Sequence, residues 1–66
     1  MSDADALKAD IRKLSAKATN AKMNLHDLSE ELPLGWTTIP DVAKAAYDAY
    51  AALEAARKKL AELEAA

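Results

Sequence analysis

The sequence of 66 residues contains 17 alanines, no cysteine and no phenylalanine. Its formal net charge of −2 disfavours a general nucleic-acid binder, because the phosphate backbone requires an excess of cations. A chain of this length buries little apolar surface and has no disulfide, so we expect oligomerisation to supply the missing stability.

Apolar residues recur in the first half of the chain at steps that alternate between three and four. They are Ala4, Leu7, Ile11, Leu14, Ala18, Ala21, Leu25, Leu28 and Leu32. This spacing places their side chains on one side of an α-helix. It predicts a first helix over about residues 3–32, with Ser2 as its N-cap.

The next residues predict a reversal of the chain. Pro33 disfavours helical backbone at the residue before it and cannot continue the hydrogen-bond ladder. Gly35 permits a positive φ angle. Residues 33–37 are therefore predicted to form a short turn.

A second apolar stripe with the same spacing follows the turn. It consists of Ile39, Val42, Ala46, Ala49, Leu53, Ala56, Leu60 and Leu63. A second helix is predicted over about residues 38–64, with Thr38 as N-cap and Asp41 at the capping-box position. Two helices joined by so short a turn predict one all-α domain, an antiparallel two-helix hairpin.

Antiparallel pairing places Ala18 opposite Leu53 and Ala21 opposite Ala49. The alanine–alanine layer has little side-chain volume, so either the helices approach closely there or a partner subunit fills the gap.

Helix two also has apolar residues on both sides of its stripe, which is wider than one partner helix requires. These flanking residues are Ala43, Ala45, Tyr50 and Ala52. We expect this surface to be buried in a homo-oligomer, either a dimer or a tetramer. Two hairpins that dimerise form a four-helix bundle. The residues predicted at the interface are Ala21, Ala49, Tyr47 and Tyr50.

The segment from Ala18 to Pro33, with its Ala-Lys-Met-Asn-Leu-His-Asp-Leu run, is more specific than helical periodicity requires. Together with Trp36 and the stretch from Val42 to Tyr50, it resembles a small Rop-like family encoded in bacterial nitrogen-fixation operons. The resemblance implies a dimer of helical hairpins similar to the plasmid regulator Rop. It also implies a nitrogenase-related or cofactor-assembly protein as partner, and a candidate metalloprotein. Leu34-Gly35 departs from the more polar, acidic pair expected there, which weakens any role for a loop carboxylate.

The only histidine, His26, is the candidate ligand for a divalent transition metal of the Zn²⁺ or Ni²⁺ type. Glu30 lies one helical turn later on the same side, and Asp27 could add an oxygen ligand. The alternative is a solvated histidine with a carboxylate partner. Two or three ligands from one chain leave a zinc site incomplete, since structural Zn²⁺ takes about four.

Two roles are possible for the tyrosine pair and two for the tryptophan. Tyr47 and Tyr50 could form a cofactor-facing patch with Met23 and His26, or bury their rings between subunits. Trp36 could cap the end of the core or anchor a partner protein.

Charge is unevenly distributed along the predicted hairpin. Basic residues concentrate toward the open end, at Lys8, Arg12, Lys13, Lys17, Arg57, Lys58 and Lys59. Acidic residues concentrate toward the turn, at Asp27, Glu30, Glu31, Asp41 and Asp48. Opposite ends would attract each other in an antiparallel dimer.

No nucleophile–base pair or phosphate-binding glycine loop is evident, so we do not expect an enzyme. The leading hypothesis is an accessory protein of nitrogen fixation that binds protein, with or without a metal ion. The alternatives are a metal or cofactor carrier using His26 and, last, RNA binding by analogy with Rop, which would rest on fold alone. The polar, acidic N-terminal residues do not resemble a secretory signal, and no apolar run has membrane-spanning length. With the absence of cysteine, this predicts a cytoplasmic protein without membrane contact.

Overall fold

A computed structural model describes residues 3–65 and shows an antiparallel helical hairpin, which confirms the predicted fold class. Helix α1 spans Asp3–Glu31 and helix α2 spans Ile39–Ala65. The hairpin is a rod with Cα extents of 49 × 15 × 13 Å. The predicted N-cap, Ser2, lies outside the described residues.

The chain reverses through a turn and a short 3₁₀-helix. The 3₁₀-helix spans Trp36–Thr38. Gly35 precedes it with a φ of 73°, in the left-handed region that favours glycine. The backbone amide of Leu34 donates to the carbonyl of Glu31 at 3.0 Å, and that of Trp36 donates to Pro33 at 3.3 Å. These bonds replace the helical ladder that Pro33 cannot continue.

Thr38 directly precedes α2, at the position predicted for the N-cap. Its hydroxyl makes a hydrogen bond within the turn. The Oγ1 atom donates a hydrogen bond to the carbonyl of Gly35 at 2.7 Å. The Thr38 backbone amide donates to the same carbonyl at 2.9 Å. Both bonds therefore fasten the start of α2 to the glycine of the turn.

The core of the hairpin is small and lies near its middle. Among residues 3–65, the buried side chains are Ala18, Ala46, Ala49 and Leu53. One cluster contains Ala18, Ala49 and Leu53, with Ile11, Leu14 and Ala21 packed against it. An alanine side chain is one carbon long, so the burial of Ala18 and Ala49 requires a close approach of the two helices. In the predicted alanine layer itself, Ala49 is buried and Ala21 is half-buried.

Neither described helix is long and apolar enough to cross a membrane.

Candidate interaction and metal-binding surfaces

The residues predicted at a subunit interface fall into two groups. Ala49 is buried against α1, and Ala21 packs on the same cluster. Tyr47 and Tyr50, in contrast, are 75% and 42% exposed. The alanines thus contribute to contacts within the hairpin, whereas the tyrosine rings remain accessible for contacts between molecules.

The tyrosines line the larger groove between the helices. This groove has a volume of about 510 Å³. Its lining consists of Lys22, Leu25, Ala43, Ala46, Tyr47, Tyr50 and Ala51. Of these seven lining residues, Lys22 alone is charged. We call this side of the hairpin the tyrosine face.

Two smaller grooves, of about 180 and 270 Å³, share Ala45 in their linings. The smaller also contacts Asn24 and Asp41, and the larger contacts Lys17 and Asp48. Neither shares a lining residue with the larger groove of the tyrosine face. We call this side, with Ala45 and Ala52, the alanine face.

The two faces lie on opposite sides of the line along which the helices meet. Successive residues of an α-helix are rotated by about 100°. Ala46 and Ala49 mark the contact line because both are buried. Tyr50 follows Ala49 and Ala45 precedes Ala46, so these two side chains project to opposite sides. The wide apolar stripe predicted for helix two is therefore two separate faces.

His26 is exposed on α1 between two carboxylates. Its Nε2 atom lies 3.6 Å from Oε1 of Glu30, and its Nδ1 atom lies 3.6 Å from Oδ1 of Asp27. Both distances exceed a hydrogen bond. The hydroxyl of Ser29 donates to the backbone carbonyl of His26 at 2.6 Å.

The three side chains come together, but they do not fit one metal ion. A metal bound to imidazole lies about 2.0–2.1 Å from one ring nitrogen and in line with its lone pair. Glu30 faces one nitrogen and Asp27 the other. An ion shared with Glu30 is therefore on the wrong side of the ring for Asp27. Within residues 3–65, no group of three or more histidine and acidic side chains is placed to hold a metal.

An ion pair that the sequence analysis did not single out occurs on α2. Nζ of Lys44 donates to Oδ2 of Asp48 at 2.7 Å, with both side chains exposed. This hydrogen bond, together with the negative charge of Asp48, raises the pKa of Lys44 above its ordinary value of 10.5. The spacing of four residues between Lys44 and Asp48 would have predicted this ion pair from the sequence.

The turn end of the rod is apolar and open to solvent. Trp36 is 63% exposed and Leu34 is 74% exposed. Leu32 and Ile39, at the adjoining helix ends, are also exposed. Most of the Trp36 indole ring is therefore accessible for contact with another molecule.

The Rop-like family model matches residues 2–65, nearly the whole chain. The chain belongs to the Rop-like family. An Azorhizobium caulinodans relative described as a UPF0437 protein is 63% identical over 98% of this chain and 94% of its own length. A Frankia alni relative is described as a UPF0437 protein in the nifX-nifW intergenic region. It is 52% identical over 94% of this chain and 74% of its own length.

A solved structure supports the Rop-like hairpin. An NMR structure of a protein 49% identical in sequence superimposes with a TM-score of 0.91. The match covers 98% of this chain and 92% of that one. At this level of identity and overlap, the Rop-like chain and its neighbour share the two-helix architecture over the matched residues.

Proposed function

We propose that this chain is a non-enzymatic accessory protein of nitrogen fixation, which acts in the cytoplasm by binding another protein. The observation that carries the proposal is the relative described as lying in the nifX-nifW intergenic region, which is 52% identical over 94% of this chain. The partner is a nitrogenase-related or cofactor-assembly protein.

The exposed surface supports protein binding as the mode of action. Large apolar side chains are exposed at the turn end, where Leu34 and Trp36 lie, and along the tyrosine face. Exposed tryptophan and tyrosine are frequent hot-spot residues of protein interfaces, because they bury much area with few rotatable bonds.

We further propose that the chain works as a homodimer in a four-helix bundle. Leu53 is the one large buried side chain in the described residues, beside three buried alanines. A core this small supplies little stability on its own, and oligomerisation is a common remedy. A second hairpin would cover apolar side chains that remain exposed in one copy, including Leu25 and Tyr50.

The function is tested by affinity purification of the tagged native chain from nitrogen-fixing cells, followed by mass spectrometry. Cells grown on ammonium, in which nitrogen fixation is repressed, serve as the control. We expect a nitrogenase-related or cofactor-assembly protein to be enriched only from fixing cells. If no such protein is enriched, the proposal fails.

Variants of the same bait locate the contact. Trp36→Ala should lose the captured protein, whereas Met23→Ala, at another exposed apolar residue, should retain it. If Trp36→Ala captures the same protein as the native chain, the proposed function is retained, but the contact does not depend on the turn.

A second candidate function is that of a metal carrier, favoured by the 3.6 Å approach of Glu30 to Nε2 of His26. Two ligands from one chain leave the ion's remaining positions to water or to another subunit. The site is therefore weaker than the three-residue set expected from the sequence, and binding by protein contact remains the leading proposal.

A further inference from the structure

The turn carries large apolar side chains where a connection between helices is usually polar. Leu34 and Trp36 are mostly exposed, and Leu32 and Ile39, on either side of them, are exposed as well. Runs of exposed apolar residues are unfavourable in a connection unless they serve a function, and grouped ones mark sites of interaction. We call these four residues, at one end of the rod, the apolar tip.

The backbone of the turn holds Trp36 in a defined position. The amide of Trp36 donates to the carbonyl of Pro33, and the amide and hydroxyl of Thr38 both donate to the carbonyl of Gly35. The turn also packs on α1, because a Cβ atom added at Gly35 would lie 3.3 Å from Cδ1 of Leu28. A side chain presented by an ordered backbone loses less entropy on binding than one on a flexible loop. The turn is therefore suited to present Trp36 to a partner.

Only acidic residues flank the apolar tip. Residues 27–42 contain four acidic residues and no lysine or arginine. The four are exposed, and they are Asp27, Glu30, Glu31 and Asp41. Within residues 3–65, none of these carboxylates forms an ion pair with a lysine or arginine. The nearest basic residue in the sequence, Lys44, is hydrogen-bonded to Asp48 instead. The C-terminal end of α1 adds partial negative charge, since its last turn has no basic residue.

We propose that the apolar tip docks on a basic site of another protein, one in which apolar side chains are bordered by lysines or arginines. This inference rests on the proposed function, because it specifies the chemistry of the partner. Complementary charge at the rim of an interface speeds association and selects the partner, while a central tryptophan supplies affinity. The same carboxylates repel the phosphates of nucleic acids and of anionic membrane surfaces.

The open end of a second copy does not offer such a site. That end, residues 3–13 and 57–65, contains six basic and five acidic residues, so its charges nearly balance. Lys8 lies 3.9 Å from Glu64. The groove at this end, of about 250 Å³, has Asp3 and Asp10 in its lining beside Lys59. An excess of one positive charge does not complement four carboxylates, so the occupant is a different protein.

The single tryptophan of the chain allows a direct test. Incorporation of fluorotryptophan gives one fluorine NMR signal, which reports on the surroundings of the Trp36 indole ring. The probes are three synthetic helical peptides without tryptophan. One consists of leucine and lysine, the second has glutamate in place of lysine, and the third has serine in place of leucine. We expect the leucine–lysine peptide alone to shift the signal, and high salt to weaken its binding.

Variants separate the contributions of charge and apolar surface. Glu31→Gln combined with Asp41→Asn removes two of the four negative charges but no apolar side chain. The matched control is Glu54→Gln combined with Glu62→Gln, at exposed positions of α2 away from the turn. Leu34→Ser removes apolar surface and leaves the charge unchanged. We expect the first variant to weaken binding of the leucine–lysine peptide about threefold or more, Leu34→Ser about tenfold, and the control to bind like the native chain. Circular dichroism verifies that each variant keeps its helices.

An equal shift from either of the other peptides, or no shift from any, would overturn the basic docking site, as would equal binding by the tip variant and its control. The affinity purification from nitrogen-fixing cells tests the proposed function separately. If native chain and Leu34→Ser capture the same nitrogenase-related protein equally, the apolar tip is not the docking site, and the function is retained. If the leucine–lysine peptide binds as expected but no nitrogenase-related protein is enriched, the chemistry of the tip is supported and the proposed function fails.

Discussion

Ala49 and Tyr50 are adjacent in the chain, yet Ala49 is 6% exposed and Tyr50 is 42% exposed. Ala49 points at α1 and belongs to the small core, whereas Tyr50 lines the groove of the tyrosine face. The rotation of about 100° between successive helical residues accounts for the difference. One peptide unit thus separates the contact that closes the hairpin from the proposed contact that joins two hairpins.

Enlarging Ala49 should destabilise the protein more than enlarging an exposed alanine. In Ala49→Leu, the added carbons would enter a layer in which the helices already approach closely, and overpacking costs about 1–3 kcal/mol. For a domain of this size, that loss lowers Tm by at least about 4 °C. Ala61→Leu is the matched control, because Ala61 is exposed. Circular dichroism melts compare the two, and equal Tm values would show that Ala49 is not in a tightly packed layer.

The hairpin itself could be predicted from the sequence. The two apolar stripes fix which side of each helix faces the other, and Pro33 with Gly35 fixes where the chain reverses. The short turn leaves an antiparallel arrangement as the only choice. Local periodicity and turn chemistry were therefore sufficient for the architecture.

The division of the flanking residues into two faces follows from the same periodicity. Tyr50 and Ala52 flank the apolar stripe on opposite sides, because successive helical residues are rotated by about 100°. The spacing of His26, Asp27 and Glu30, in contrast, predicted proximity but not which ring nitrogen each carboxylate faces. That geometry depends on side-chain rotamers, which sequence spacing leaves open.

Stability should rise with protein concentration if folding and association are linked. The small core motivates this expectation, since Leu53 is its one large buried side chain in residues 3–65. Thermal melts over a hundredfold range of concentration measure the effect. Tyr50→Glu should lower Tm and reduce its concentration dependence, because it places a charge in the proposed interface. Ala52→Glu, on the alanine face, should retain the concentration dependence of the native chain. A Tm that is independent of concentration would argue against the dimer.

The pKa of Lys44 should depend on Asp48. Their hydrogen bond raises the pKa of Lys44 above 10.5, so the interaction stabilises the folded chain below that pH. The contribution is lost as pH rises through the folded-state pKa. In Asp48→Asn, NMR titration of the lysine side chain should give a lower pKa for Lys44, whereas Glu54→Gln should leave it unchanged. An unaltered value in Asp48→Asn would show that the pair does not persist in solution.

Metal binding should depend on His26 and Glu30 more than on Asp27. Nε2 of His26 and Oε1 of Glu30 are 3.6 Å apart, and side-chain rotation could bring both to one Zn²⁺ or Ni²⁺ ion, whereas Asp27 faces the opposite nitrogen. We expect modest affinity that falls on acidification, because metal binding releases protons from the ligands. Calorimetry should show binding lost in His26→Ala, weakened in Glu30→Gln and retained in Asp27→Asn. An antiparallel dimer keeps the two His26 residues well apart along the rod, so we expect one ion per chain; one ion shared between subunits would require a different dimer or a tetramer. Identical titrations for the native chain and His26→Ala, or no heat from either, would exclude His26 as a ligand and leave protein binding as the proposed function.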